Sequence, residues 1–191
     1  MDDDKKRNVN NNTKNSLILI VEDNPTNIVL LEGVLSKNGY KVVAASDANQ
    51  AFEFITNELP DLILLDVMIP GMNGFEICEE LKSNIKTKSI PVIFLTAKTA
   101  TEDIVKGFEV GGVDYVTKPF KIEELIARVN THIEIKKLRS LLPICPACKK
   151  IRNDEGYWQS IEDYFKGQNI VDFSTTFCEK CAKEKYWDLF V

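Results

Sequence analysis

The sequence predicts a doubly wound α/β domain built on a five-stranded parallel sheet, followed by a small cysteine-bearing module. Two observations predict the first part. Short apolar runs recur at residues 17–21, 41–45, 62–65, 92–95 and 114–116, and stretches of helical periodicity separate them. The runs are rich in Leu and β-branched residues and do not alternate with polar ones, as expected of strands covered on both faces. A third observation predicts the second part: beyond Lys136 lie four of the five cysteines and both tryptophans.

Taken in order, residues 1–15 are polar and rich in Asn and charge, which suits a disordered arm with nothing to bury. The first strand follows from Ser16. Asp23-Asn24-Pro25 then supplies cap residues and a proline suited to a first helical turn, with Ile28, Leu31, Val34 and Leu35 on one face. Asn38-Gly39 stops that helix. Asp47 caps the next, which buries Ala51, Phe52 and Ile55. Cys78, near Phe75 and Leu81, reads as a small core residue of the third helix. Gly111-Gly112 turns the chain into the fifth strand. The last helix carries Ile122, Leu125, Ile126, Val129 and Ile133 at helical spacing, and His132 among them reads as a surface residue. The domain boundaries expected are therefore 16–138 for the α/β domain and 139–191 for the module.

Composition sets outer limits. A chain of 191 residues with 44% hydrophobic and 28% charged residues is globular in type. Its apolar runs fall far short of the roughly 20 residues a membrane helix needs. The first residues show no apolar segment of a secretory signal, so a cytoplasmic location is expected. A net charge of −5 argues against broad, nonspecific nucleic-acid binding.

In open parallel sheets ligands bind beyond the carboxyl ends of the strands, where the winding reverses. Glu22 and Asp23 end strand one, Asp66 ends strand three, Thr96 and Ala97 end strand four, and Thr117-Lys118-Pro119 follows strand five. Three carboxylates that converge repel one another unless a cation joins them. Oxygen-only ligands suit Mg²⁺, leaving Lys118 and the Thr96 hydroxyl to bind the oxygens of a phosphoryl group. Each residue alone could be a helix cap or a surface ion-pair partner. All five at successive strand ends are a site.

The motifs Ile20-Val21-Glu22-Asp23-Asn24, then 62–74 with Asp66-Val67-Met68-Ile69-Pro70-Gly71 at its centre, then Phe94-Leu95-Thr96-Ala97 and Tyr115-Val116-Thr117-Lys118-Pro119-Phe120 carry a resemblance. In order and spacing, residues 16–138 resemble the receiver domain of bacterial two-component response regulators. Glu22 at the first acidic position is a common variant in that family. The resemblance implies a flavodoxin-like fold with strand order 2-1-3-4-5. It implies that Asp66 accepts a phosphoryl group from a phosphohistidine of a histidine kinase or phosphotransfer protein. Asp23, Asp66 and the backbone carbonyl of Met68 would ligate Mg²⁺, with Glu22 acting through water, while Lys118 and Thr96 hold phosphoryl oxygens. It further implies a switch in which Thr96 moves toward the phosphate and Tyr115 turns inward behind it, and a cis Lys118-Pro119 bond. No separate output enzyme is expected, beyond an intrinsic autophosphatase activity.

Cys145-Pro146-Ala147-Cys148 and Cys178-Glu179-Lys180-Cys181 are two C-x-x-C knuckles separated by 29 residues. Together they can complete a tetrahedral Cys₄ site for structural Zn²⁺, and so small a module needs a staple. Redox-active pairs, disulfides and unligated thiols remain alternatives. The segment resembles a cysteine-paired, zinc-ribbon-like module at the C-terminus of some bacterial signalling proteins, many of which carry a histidine where this chain has Thr175-Thr176. Tyr157, Trp158, Tyr164, Phe165, Phe173 and Trp187 suit the module's core, or else an interaction surface. The module's charges balance, so a protein partner is favoured over nucleic acid, with a redox sensor as a further reading. Ile135, Leu138 and Leu142 offer a short stripe that could form a homodimer seam or pack on the module.

Overall fold

The computed structural model describes residues 15–97, 101–139, 142–153 and 156–167. The expected arm, apart from Asn15, lies outside the described residues. So do Lys98, Phe173, Trp187, Cys178 and Cys181. The chain divides into two compact units, Met1–Ser140 and Leu141–Val191.

The first unit alternates strand and helix throughout: β1 Leu17–Val21, α1 Pro25–Lys37, β2 Lys41–Ala45, α2 Ala48–Asn57, β3 Leu62–Asp66, α3 Gly74–Ser83, β4 Val92–Thr96, α4 Thr101–Glu109, β5 Asp114–Thr117 and α5 Ile122–Arg139. All pairings are parallel and the order is β2-β1-β3-β4-β5. The period-2 geometry of each strand divides its side chains between two cores. Leu19, Val21, Ile63, Leu65, Val92 and Phe94 face one. Ile18, Ile20, Leu62, Leu64, Ile93 and Leu95 face the other. β1, β3 and β4 are buried almost end to end, because helices cover both faces. β2 and β5 depart from the expectation of full burial: they are the edges of the sheet, and their burial is partial.

Local chemistry fixes the helix starts. The Asn24 side chain accepts from Thr26 N at 2.9 Å, with Pro25 at the first helical position. Asp47 Oδ1 accepts from Gln50 N at 3.0 Å. Asn73 and Glu76 form a reciprocal capping box at α3. Gly39 ends the turn after α1 at φ 91°, a conformation glycine adopts without a Cβ penalty. Gly112 is held by space: a Cβ there would meet Phe94 at 2.5 Å. Cys78 is fully buried, as expected, and burial pushes its thiol up to about 11. His132 is not a free surface residue. Its side chain is 15% exposed and its Nε2 lies 3.0 Å from Asp114 Oδ2.

The second unit holds a two-stranded antiparallel sheet, β6 Ile151–Arg152 with β7 Trp158–Gln159, and helix α6, Ile161–Gly167. Ser160 caps α6, its hydroxyl accepting from Asp163 N at 3.0 Å. Ile151 and Tyr164 are buried. Tyr157 and Trp158, for which the sequence leaves core and interaction surface both open, are exposed; Trp158 pairs with Arg152, on the face of the hairpin opposite Ile151.

Candidate functional site

β1 and β3 are neighbours, yet their crossover helices leave in opposite directions, so a crevice opens beyond their carboxyl ends. Glu22 and Asp23 follow the last residue of β1, and Asp66 is the last residue of β3. One carboxylate oxygen from each lies within 4.8 Å of those of the other two. Glu22 and Asp66 are buried and Asp23 is exposed. The cluster thus has two acids in the wall and one at the mouth.

One cation answers the two buried acids. Lys118 Nζ donates to Asp66 Oδ2 at 2.6 Å and to Glu22 Oε2 at 2.7 Å. Burial alone would push the Lys118 ammonium down, but these hydrogen bonds and the two negative charges outweigh it and hold it above the usual lysine range. The chain delivers Lys118 from β5 through a hydrogen bond of its own N–H to Thr96 O at 2.8 Å, and the Lys118-Pro119 bond is cis, as expected. Asn27 on α1 donates to the remaining Glu22 oxygen at 2.8 Å, and Met68 N donates to Asp66 Oδ1 at 3.1 Å. Both buried carboxylates are therefore oriented, each from two sides. Asn27 was not foreseen from the sequence; its position four residues beyond Asp23, on the first turn of a helix leaving the acidic strand end, was the available signal.

α3 closes tightly on this site. A Cβ at Gly74 would lie 2.2 Å from the Asp66 carbonyl oxygen, so only glycine allows the helix to start here. Thr96, at the end of β4, is buried, with 4% exposure. It lines a small cavity of about 10 Å³ together with Val67, Phe108, Asp114 and Tyr115. Tyr115 is half-buried. It meets the Phe108 ring edge-on at 6.3 Å between centroids and carries the Arg128 guanidinium 5.7 Å above its face. Arg128 in turn donates to Asp114 Oδ1 at 2.6 Å and to Glu124 Oε1 at 2.9 Å. Sequence reasoning missed this ion cluster around Tyr115, since its members lie 14 and 18 residues apart.

Three carboxylates against one ammonium leave excess negative charge, and every donor is an oxygen. That set fits Mg²⁺ rather than a softer metal, and Glu22, Asp23 and Asp66 could hold it. Among the described residues no other group of three such ligands comes together. In the second unit, Cys145 and Cys148 flank a turn closed by Lys149 N donating to Cys145 O at 2.9 Å, with Lys149 at φ 60°. Neither forms a disulfide among the described residues. The N–H groups of Cys148 and Ala147 point at Cys145 and hold its thiol below the usual range. Cys178 and Cys181 lie outside the described residues.

Fold and site together define a flavodoxin-like α/β protein with a lysine-clamped acidic cluster at its switch point. Residues 18–130 match the family described as the response regulator receiver domain. This chain belongs to that family. It is 43% identical over 125 residues to a protein described as a probable cyclic di-GMP phosphodiesterase of Vibrio cholerae, covering 65% of this chain and 28% of the relative. It is 42% identical over 121 residues to the DNA-binding response regulator MtrA of Mycolicibacterium smegmatis, covering 63% of this chain and 52% of the relative. The chain thus spans from about a quarter to half the length of these relatives. Among solved structures, it is similar to the receiver domain of the sensor histidine kinase PA1611 from Pseudomonas aeruginosa, with a TM-score of 0.59 and 32% identity, covering 63% of this chain and 98% of that one. That structure has a magnesium ion coordinated in its active-site cleft. No helix among the described residues is long and apolar enough to cross a membrane.

Proposed function

We propose that the chain is a phosphorylation-controlled switch in which Asp66 accepts a phosphoryl group from a phosphohistidine on a histidine kinase or phosphotransfer protein. An Asp66 carboxylate oxygen attacks phosphorus, the phosphorus–nitrogen bond breaks, and the histidine leaves with the electron pair while Asp66 becomes an acyl phosphate. The observation that carries this reading is the Lys118 ammonium bound at 2.6 Å to an Asp66 oxygen, inside a cluster of three carboxylates. Phosphoryl transfer is mainly positioning and charge neutralisation, and these groups supply both.

Glu22, Asp23, Asp66 and the Met68 carbonyl would hold Mg²⁺, which when bound neutralises charge on the transferring group. Lys118 exchanges its bond to Asp66 for one to a phosphoryl oxygen and keeps Glu22 as its second partner. The Thr96 hydroxyl binds another phosphoryl oxygen. Its movement changes the small cavity it shares with Tyr115, and so biases the packing of α4, β5 and α5. Asp66→Ala abolishes acceptance of labelled phosphoryl from a kinase or from acetyl phosphate; label transfer persisting in that variant contradicts the assignment.

We assign the output to residues 139–191, following a receiver of residues 16–138, in a cytoplasmic protein. In this reading Cys145, Cys148, Cys178 and Cys181 bind structural Zn²⁺, and the module engages another protein rather than nucleic acid. The turn and the depressed Cys145 thiol support it. Protein purified under reducing conditions then carries stoichiometric zinc, which a thiol-modifying reagent releases. Zinc content unchanged by Cys145→Ser and Cys178→Ser contradicts it.

A further inference from the structure

At the opposite end of the sheet from the acidic cluster lies a groove of about 690 Å³ whose ionisable lining is all basic. Lys82 of α3, Lys88 of the following loop, and His132, Lys136 and Arg139 of α5 line it. Its apolar lining comes from Pro91 and Val113, the residues just before β4 and β5, and from Ile135. In a chain with a net charge of −5, this concentration of cationic side chains runs against the overall balance.

Three of these basic side chains have protein partners, whereas Lys88 and Arg139 are exposed at the groove. Lys82 Nζ donates to two backbone carbonyls, those of Lys88 and Ile90, and burial pushes its ammonium below the usual range, with no carboxylate acting against that. Lys136 Nζ donates to Pro60 O at 3.0 Å and Asp61 Oδ1 at 3.1 Å, which leaves a third N–H. No ion pair engages Lys82, Lys88 or Arg139 among the described residues. His132 faces Asp114, which is itself held by Arg128. Asp61 pairs with Lys136 and Asp114 faces His132, but neither acid lines the groove.

The volume lies in the range of small-molecule sites, roughly 300–1,000 Å³. Cations clustered around an apolar floor recognise an anion joined to an apolar body. We propose that this groove binds a small organic phosphate of nucleotide size, its phosphates on Lys88, Lys136 and Arg139 and its apolar portion on Pro91, Val113 and Ile135. The site is separate from the acidic cluster. The length of β4 puts it roughly 15 Å away, at the amino ends of the strands. It touches α5, the helix from which the chain continues into the second unit.

The probe is ATP, titrated calorimetrically into the full-length protein in EDTA, so that no divalent ion can recruit it to the carboxylates. Saturable binding is expected with a Kd below about 1 mM. Lys88→Glu and Arg139→Glu each weaken it by about tenfold or more. Lys86→Glu, on the same loop but outside the groove, and Asp66→Asn leave it unchanged. Adenosine, which lacks the phosphates, competes at least about tenfold more weakly than ATP. Absence of saturable binding overturns the proposal. So does binding that survives Lys88→Glu and Arg139→Glu together, that is lost in Asp66→Asn, or that adenosine displaces as effectively as ATP.

Discussion

Lys118 Nζ lies 2.6 Å from Asp66 Oδ2 and 2.7 Å from Glu22 Oε2, so one ammonium joins two carboxylates that are each no more than 5% exposed. Removing it leaves two buried negative charges uncompensated. Lys118→Met therefore destabilises the receiver by roughly 1–3 kcal/mol at neutral pH, less than for a fully buried broken pair because the lysine is partly solvated. Mg²⁺ restores part of the loss. Because the folded state holds the Lys118 ammonium above 10.5, its contribution is full below that pH and lost as the pH rises through the raised value. Urea denaturation of both proteins, with and without Mg²⁺, checks this.

Asp114 gives the opposite pH limb. Burial alone would raise its carboxyl, but hydrogen bonds from Arg128, Tyr115 N and His132 outweigh it and hold it below 3.8. A group depressed on folding stabilises above its unfolded value, and that stability is lost as pH falls through the folded one. Asp114→Asn is therefore less stable at neutral pH, by about 1–2 kcal/mol, and the gap closes below pH 3.8. Denaturation midpoints measured from neutral to acid pH test the convergence.

Gly74→Ala places a methyl 2.2 Å from the Asp66 carbonyl oxygen and 2.9 Å from Val67 Cα. Backbone cannot rotate away as a side chain would, so roughly 3 kcal/mol is lost. Gly33→Ala, on α1 with nothing within 4 Å of the added carbon, gains slightly through helix propensity. Thermal unfolding of the two variants separates a clash at the site from a general effect of alanine.

The sheet was legible because its strands are short, apolar and non-alternating, and the acids were legible because each falls at a strand end. Edge positions were not: Lys41 and Asp114 begin β2 and β5, but which strands lack a second neighbour is a property of topology. Asn27 and Arg128 were missed, and His132 reads in sequence as a surface residue, for a related reason. Each is an ordinary helix-surface residue in sequence, and acquires its partner only when the helix packs beside Glu22 or Asp114. The burial of Cys78 followed from helical spacing with Phe75 and Leu81. The exposure of Trp158 did not follow from anything local.

Borohydride reduction tests the central claim most directly, since it converts an aspartyl phosphate to homoserine at the modified position. After incubation with acetyl phosphate and Mg²⁺, peptide mass spectrometry should find homoserine at position 66 and aspartate at position 23, with none formed when EDTA replaces the metal. Homoserine at Asp23, or an unmodified Asp66 beside a phosphorylated residue elsewhere, would contradict the account.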